Sequence, residues 1–319
     1  MRENLKQWGL PSWYLAVFNA LVILFFCLIA LGGSVRIMKV GLACPDWPLC
    51  FGTVIPYYQP QVYFEFIHRV VAGLASLGTL ALSVMMFRSS APRALKYLIG
   101  FVLVFLCFQI VFGGLTVLLM LKSGVVATHL VTGAGIFITL LWIYLSIKPA
   151  PVEDPGPPWL FWQSLLVFIA AYGQVLLGGL VAANFASLVC IDFPTCHGEW
   201  FPTFSGIIGL HVIHRLGAYC LSVILLANWL VILNVSPSLR LRKIAGILFL
   251  CLCAQVCLGI ANVLTLTHPL VAVSHLAMGI GVLSVTLRQF HLVWGARPQS
   301  VFRGGLGGFH FFNRVERHV

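Results

Sequence analysis

Glu65-Phe66-Ile67-His68-Arg69 puts three ionisable side chains inside an apolar stretch long enough to cross a membrane. Charges are expensive there, so a functional site is the first reading, provided partners can be named. The chain names them by repeating itself. His68 and His129 recur 146 residues later as His214 and His275, and Arg69 recurs as Arg215. A single histidine would be read as one hydrogen-bonded within a helix bundle; four at matched positions weigh against that. From the expected starts of their helices, His68 lies about 10 Å and His129 about 8 Å into the span, at about 1.5 Å per residue. Two neutral imidazoles at one height in a dry, aromatic-rich bundle suit bis-histidine ligation of haem iron. A zinc or copper site would want a third or fourth ligand, and the repeat supplies none.

Glu65 and Arg69 stand four residues apart and would simply neutralise each other. Arg215, however, persists where the Glu65 position has become His211. An arginine that outlives its acid calls for another anion, and a haem propionate matches the guanidinium fork. Glu65 lies one turn before His68 on the same helix face. A carboxylate beside a metal-bound macrocycle can do acid–base work or stabilise developing positive charge. The asymmetry assigns catalysis to the N-terminal half and electron transfer to the C-terminal half. His197, His268 and His291, and His310 and His318 in the tail, have no counterpart in the repeat.

The elements that must hold these residues are membrane helices. Of the 319 residues 60% are hydrophobic and 8% charged, too little polar surface to coat a soluble globule of this size. Eight apolar runs reach the length of about 20 residues that a bilayer core requires. They lie near 13–35, 62–87, 97–121, 126–147, 158–181, 204–233, 244–266 and 269–292. The N-terminus lacks the features of a cleaved signal peptide, so the first run is expected to be retained. The net charge of +11 reports topology and contact with anionic lipid rather than nucleic acid. With a cytoplasmic N-terminus, Lys and Arg collect on that side, from Arg2 and Lys6 through Arg88, Arg93, Lys96, Lys148, Arg240, Arg242 and Lys243 to the tail. Arg36, Lys39 and Lys122 fall on the other. This positive-inside pattern predicts an inner-membrane protein with both termini cytoplasmic and its cysteine-bearing loops outside.

The 146-residue offset also relates Cys44, Asp46, Pro48, Cys50, Gly52 and Pro56 to Cys190, Asp192, Pro194, Cys196, Gly198 and Pro202. Gly32-Gly33, Gln109 and Gly113 map in the same way onto Gly178-Gly179, Gln255 and Gly259. The expected fold is therefore an all-α integral membrane protein. Its eight transmembrane helices form two tandem four-helix bundles related by pseudo-two-fold symmetry. The halves are 1–147 and 158–293, joined by a proline-rich cytoplasmic linker at 148–157, and a basic tail follows from 294 to 319.

Cys27, Cys107, Cys220, Cys251, Cys253 and Cys257 lie in apolar runs and read as packing residues. The loop cysteines predict Cys44–Cys50 and Cys190–Cys196 disulfides, with cross-pairing between halves and a zinc-thiolate site as open alternatives.

Taken together, Glu65-x-x-His68-Arg69, His129, His214-Arg215, His275, the paired loop cysteines and the duplicated bundle resemble the haem A synthase family across residues 10–293. The resemblance implies an oxidoreductase that converts a ring methyl of haem O to the formyl group of haem A for cytochrome oxidase assembly. It implies that His68 and His129 flank the substrate haem and that Glu65 is catalytic. It further implies that His214 and His275 ligate a resident haem b. Arg69 and Arg215 stay the propionate candidates. Expected partners are haem O, the enzyme that makes it, membrane lipid, and an electron acceptor or donor such as quinone; homo-oligomer formation is left open. The alternative is a non-catalytic dihaem cytochrome b carrying electrons from quinol. A thiol-oxidising membrane protein leaves the four histidines unexplained, and a transporter needs a polar path across the bilayer that the sequence lacks.

Overall fold

Helices α2 to α9 take up almost the whole of the computed structural model, which describes residues 2–148, 153–200 and 202–295. A short α1 (Arg2–Gln7) precedes α2 (Tyr14–Ile37), α3 (Pro60–Arg88), α4 (Arg93–Leu118) and α5 (Ser123–Ile147). The second set is α6 (Leu160–Ala183), α7 (Gly206–Val235), α8 (Leu239–Leu264) and α9 (Pro269–Gly295), with a 3-10 turn at Ala186–Leu188. The eight helices after α1 are each long and apolar enough to cross a membrane, and no strand occurs among the described residues. Their outward faces expose Leu74, Leu77, Val104, Phe108, Val223 and Leu250. A water-facing surface so apolar would aggregate, whereas lipid tails accept it.

Local chemistry sets the helix ends. Pro60 and Pro269 open α3 and α9 where a missing N–H costs nothing. The Ser238 hydroxyl caps α8 by accepting from the Leu241 amide at 3.0 Å. Charged first turns start α4 and α8 at Arg93 and Leu239, several residues before the apolar runs that hydropathy marks. Lys96, for example, donates its Nζ to the carbonyls of Phe87, in the last turn of α3, and of Ser89 just past its end. Hydropathy finds where lipid begins; backbone pairing continues past it. The sequence also gave no warning of α1, whose neighbourhood places Leu5, Trp8 and Leu10 in the core of the first half.

Contacts follow chain order within each half: α2 packs on α3, α3 on α4, α4 on α5, and α5 returns to α2. Helices α6 to α9 repeat the circuit. Between the halves, α2 meets α9, α5 meets α6, and α5 meets α9. Under the 146-residue shift the first two contacts exchange and the third maps onto itself. Tyr14, Phe18, Ile99, Ile136 and Leu140 fill the first core; Val167, Leu225, Leu248 and Val282 lie in the second.

Repetition extends to the backbone of the connections. Lys39 and Phe185 are left-handed at matched positions, as are Phe51 and His197, Met120 and Leu266, and Leu121 and Thr267. The last two pairs form the tight turns that reverse α4 into α5 and α8 into α9. At the end of the bundle bearing the long loops, Arg36 of α2 crosses to the other half. It donates to the Ala182 and Ala183 carbonyls at the C-terminus of α6, the shortest contact being 2.9 Å, and stacks over the Phe185 ring at 3.8 Å. Its position in the repeat is that of Ala182 itself. At the opposite end, the linker's Glu153 accepts from the Ser238 hydroxyl at 2.5 Å.

Candidate functional site

The four histidines lie in one layer near the loop end. His68 and His214 come eight residues after the first residue of α3 and α7, and His129 and His275 six after that of α5 and α9. At about 1.5 Å per residue these are depths of about 12 and 9 Å. His68 is within electrostatic reach of His129, and His214 of His275. Each half thus brings together the two imidazoles that the sequence pairs.

How the rings are seated was not anticipated. Every one of the four rests its Cε1 edge against a glycine of the preceding helix: His68 on Gly32, His129 on Gly113, His214 on Gly178 and His275 on Gly259. A Cβ added at those glycines would come within 3.0, 3.2, 3.2 and 3.0 Å of Cε1, tighter than ordinary packing. The glycines therefore provide the room into which the imidazoles fit. Their recurrence at the shared offset was visible in the sequence, but nothing there said which side chain would occupy the space.

Nδ1 of His68, His129 and His275 is buried without a hydrogen-bond partner. Burying a polar nitrogen without a partner is costly, and a ligand that engages the imidazole would repay it. Gln109 Nε2 donates to the His129 carbonyl at 2.9 Å and lies 3.4 Å from its Nε2; Gln255 Nε2 is 3.4 Å from His275 Nε2. On the second half alone, Gln174 Nε2 lies 3.1 Å from His214 Nδ1 and donates to that residue's carbonyl at 2.8 Å. Among the described residues no three His, Cys, Asp or Glu side chains gather as a metal site of their own. Two imidazoles per half are a donor set that could hold a metal whose remaining ligands come from a macrocycle.

Glu65 is buried at the loop end of its helix, with one partner on each carboxylate oxygen. One carboxylate oxygen accepts from the Cys44 amide at 2.9 Å, and the other pairs with Arg69 at 2.5 Å. His211, at the matching position, points its Nδ1 at the Ala186 carbonyl at 2.9 Å. The carboxylate thus grips the cysteine loop and the imidazole grips the 3-10 turn.

The two arginines also serve the loops. Arg69 donates to the carbonyls of Asp46 at 2.8 Å, Leu49 at 2.7 Å and Cys44 at 3.3 Å. Arg215 donates to those of Thr195 at 2.8 Å, Cys190 at 2.9 Å and Asp192 at 3.0 Å. Persistence of Arg215 without its acid therefore has a local cause, since the loop carbonyls it serves persist too. Nε of Arg215 is buried and unpartnered.

Each loop closes on itself. Disulfides join Cys44 to Cys50 and Cys190 to Cys196, with Cα–Cα separations of 4.8 Å in both. Pairing within each loop leaves no thiolate there for zinc. Asp46 accepts from the Phe51 and Gly52 amides, and Asp192 from those of His197 and Gly198 and from the Thr195 hydroxyl. The Gly52 amide foremost, then the Phe51 amide and nearby Arg69, hold the Asp46 carboxyl below its ordinary range. The Thr195 hydroxyl leads the same effect at Asp192.

Of the histidines outside the repeat, His291 lies 3.2 Å from the Ser146 hydroxyl, in the edge of Trp142 and far from the four-imidazole layer. His310 and His318 lie outside the described residues.

A sequence profile of the cytochrome oxidase assembly protein family matches residues 15–287 of the chain. A Shewanella oneidensis protein named heme A synthase is 30% identical over 309 residues, covering 83% of this chain and 88% of its own length. A Halalkalibacterium halodurans protein of the same name is 29% identical, covering 86% and 94%. One from Rhizobium etli is 24% identical, covering 94% of both chains.

Proposed function

Because the chain belongs to the cytochrome oxidase assembly protein family, we propose that it is a haem A synthase, a multi-pass membrane enzyme that oxidises a ring methyl of haem O to the formyl group of haem A. The observation that carries the reading is the pair of glycine-seated imidazoles in each half, three of the four retaining a buried, unpartnered Nδ1. His68 and His129 hold the substrate haem in the first half, and His214 and His275 hold a resident haem b in the second. Haem b bound there would supply one-electron transfer.

Everything else falls to the chain. Glycine contacts fix the imidazole planes, and the Gln109, Gln174 and Gln255 amides each meet a ring nitrogen, of His129, His214 and His275 respectively. The disulfide loops, clamped by Arg69 and Arg215, cover the imidazole layer at one end and keep water out. Glu65, present in the first half only, is the group able to take a proton from the hydroxylating water or to stabilise positive charge at the methyl carbon. Its bonds to the Cys44 amide and Arg69 hold the carboxylate in place while leaving lone pairs for that task. The arginines reach propionates with the donors that the loop carbonyls leave free, Arg215 Nε foremost. The Lys and Arg distribution supports cytoplasmic termini and outward loops.

Glu65→Ala and Glu65→Gln test the assignment, after co-expression with a source of haem O, by mass analysis of the extracted pigment. Wild-type protein should yield the aldehyde, and both variants should retain pigment without it. Substantial haem A from either variant removes Glu65 from the reaction. A wild-type protein that binds haem yet never forms the aldehyde would instead be an electron carrier.

A further inference from the structure

We propose that Gly33 and Gly179 are positioning residues that tie the ligand histidines of each half to the opposite half. The glycine doublets Gly32-Gly33 and Gly178-Gly179 do two jobs at adjacent positions, turned about 100° apart on their helices. The first glycine of each seats an imidazole of its own half, His68 or His214. The second receives a leucine from across the interface. Leu276 of α9 occupies the space at Gly33, where an added Cβ would overlap its Cδ2; Leu130 of α5 does the same at Gly179, 2.7 Å from such a Cβ. These leucines are the residues directly after His275 and His129.

Two continuous chains of contact result. One runs from His68 through Gly32-Gly33 and Leu276 to His275; the other runs from His214 through Gly178-Gly179 and Leu130 to His129. In both, a ligand of one site is joined to a ligand of the other by peptide bonds and two steric contacts. The close approach depends on small residues, the general requirement where helices pack within a membrane. A methyl group at Gly33 must displace the Leu276 Cδ2 methyl, and the proposed coupling passes this shift through the close-packed interface to the turn of α9 that carries His275. The prediction is crossed: changing a residue of the first half disturbs the haem of the second. The inference rests on the reading that the imidazole pairs ligate haem.

The test uses the full-length, haem-loaded protein and electron paramagnetic resonance. Signals are first assigned to halves by their loss in His68→Ala and His275→Ala. Failure of wild-type protein to show any low-spin signal dependent on these histidines would overturn the haem reading itself. Given that assignment, Gly33→Ala should shift the g-values of the second-half haem, and Gly179→Ala those of the first-half haem. Adding Leu276→Ala or Leu130→Ala, respectively, should move them back toward wild type. If Gly33→Ala does not accumulate, Leu276→Ala alone empties the same contact and should shift the second-half signal. Shifts confined to the half that carries the substituted glycine, absence of any shift, or no recovery in the double variants would overturn the coupling.

Discussion

At the scale of single residues, the informative contrast is between Arg69 and Glu65. Glu65 is buried and Arg69 half-buried, both near one histidine, yet the arginine recurs because its loop recurs. The carboxylate has been replaced in the second half by an imidazole with a different bond to make. The three carbonyls held by Arg215 come from a loop that receives no carboxylate from α7, where His211 stands in place of Glu65. Arg215→Ala should therefore loosen that loop, raising hydrogen exchange at the His197 and Gly198 amides while α7 stays protected; unchanged exchange would assign the side chain elsewhere. The loop aspartates add a pH dependence. Their carboxyls sit below the ordinary value in the folded loops, Asp46 through the Gly52 amide first and Asp192 through the Thr195 hydroxyl first. A depressed folded pKa gives stabilisation that is complete above the unfolded value of about 3.9 and is lost as pH falls through the folded value. Loop amides should keep their protection from neutral pH to about pH 4 and lose it in stronger acid. Asp46→Asn should abolish that dependence in the first loop only.

At the scale of elements, the helices and their order were legible because about 20 consecutive apolar residues have few other uses. The disulfides were legible from short, proline-containing loops between spans. The seating of the histidines was not. Gly32, Gly113, Gly178 and Gly259 could be paired by register, but a glycine specifies only that space exists, and which ring enters depends on how two helices are turned. Arg36 was hidden for a related reason: it bonds to backbone carbonyls, which carry no sequence signature. A second buried network, equally invisible, joins Asn228, Gln289, Ser164 and Gln163. The repeat places Leu82 and Ile143 at the positions of Asn228 and Gln289. Asn228→Ala leaves the Gln289 amide short of partners and should cost about 1 kcal/mol in unfolding assays in detergent. The double change Asn228→Leu with Gln289→Ile, which copies the first half, should come closer to wild type. A double variant as weak as the sum of its parts would mean that the network does not act as a unit. For the disulfides, loops this short predict a loss of about 2 kcal/mol at most when Cys190 and Cys196 are both changed to Ser.

At the scale of the whole molecule, the halves share one architecture while most of their side chains differ, and the buried polar positions that differ are where a division of function is to be sought. Near the imidazole layer the differences are Glu65 against His211 and Leu28 against Gln174, and the proposed function makes these the positions that would divide reaction from electron transfer. Arg36 binds the two halves at the loop end, and Arg36→Ala should lower stability by about 1 kcal/mol through loss of charged contacts to the end of α6. A thermal shift equal to wild type would show that the apolar interface suffices alone.

The exchange of α2 with α6 and of α5 with α9 across the interface has a consequence for how such a chain can be assembled. A contact surface that maps onto itself is isologous: it joins two units and leaves nothing exposed for a third. The covalent connection between residues 148 and 153 then adds no bond that the surface needs. It raises the effective concentration of one half near the other to the order of millimolar, and the plane of the membrane would already confine them. Cut in that connection and expressed as two polypeptides, the halves should still co-purify through an affinity tag on either one, and recovery of the tagged half alone would mean that the tether, rather than the surface, holds the molecule together.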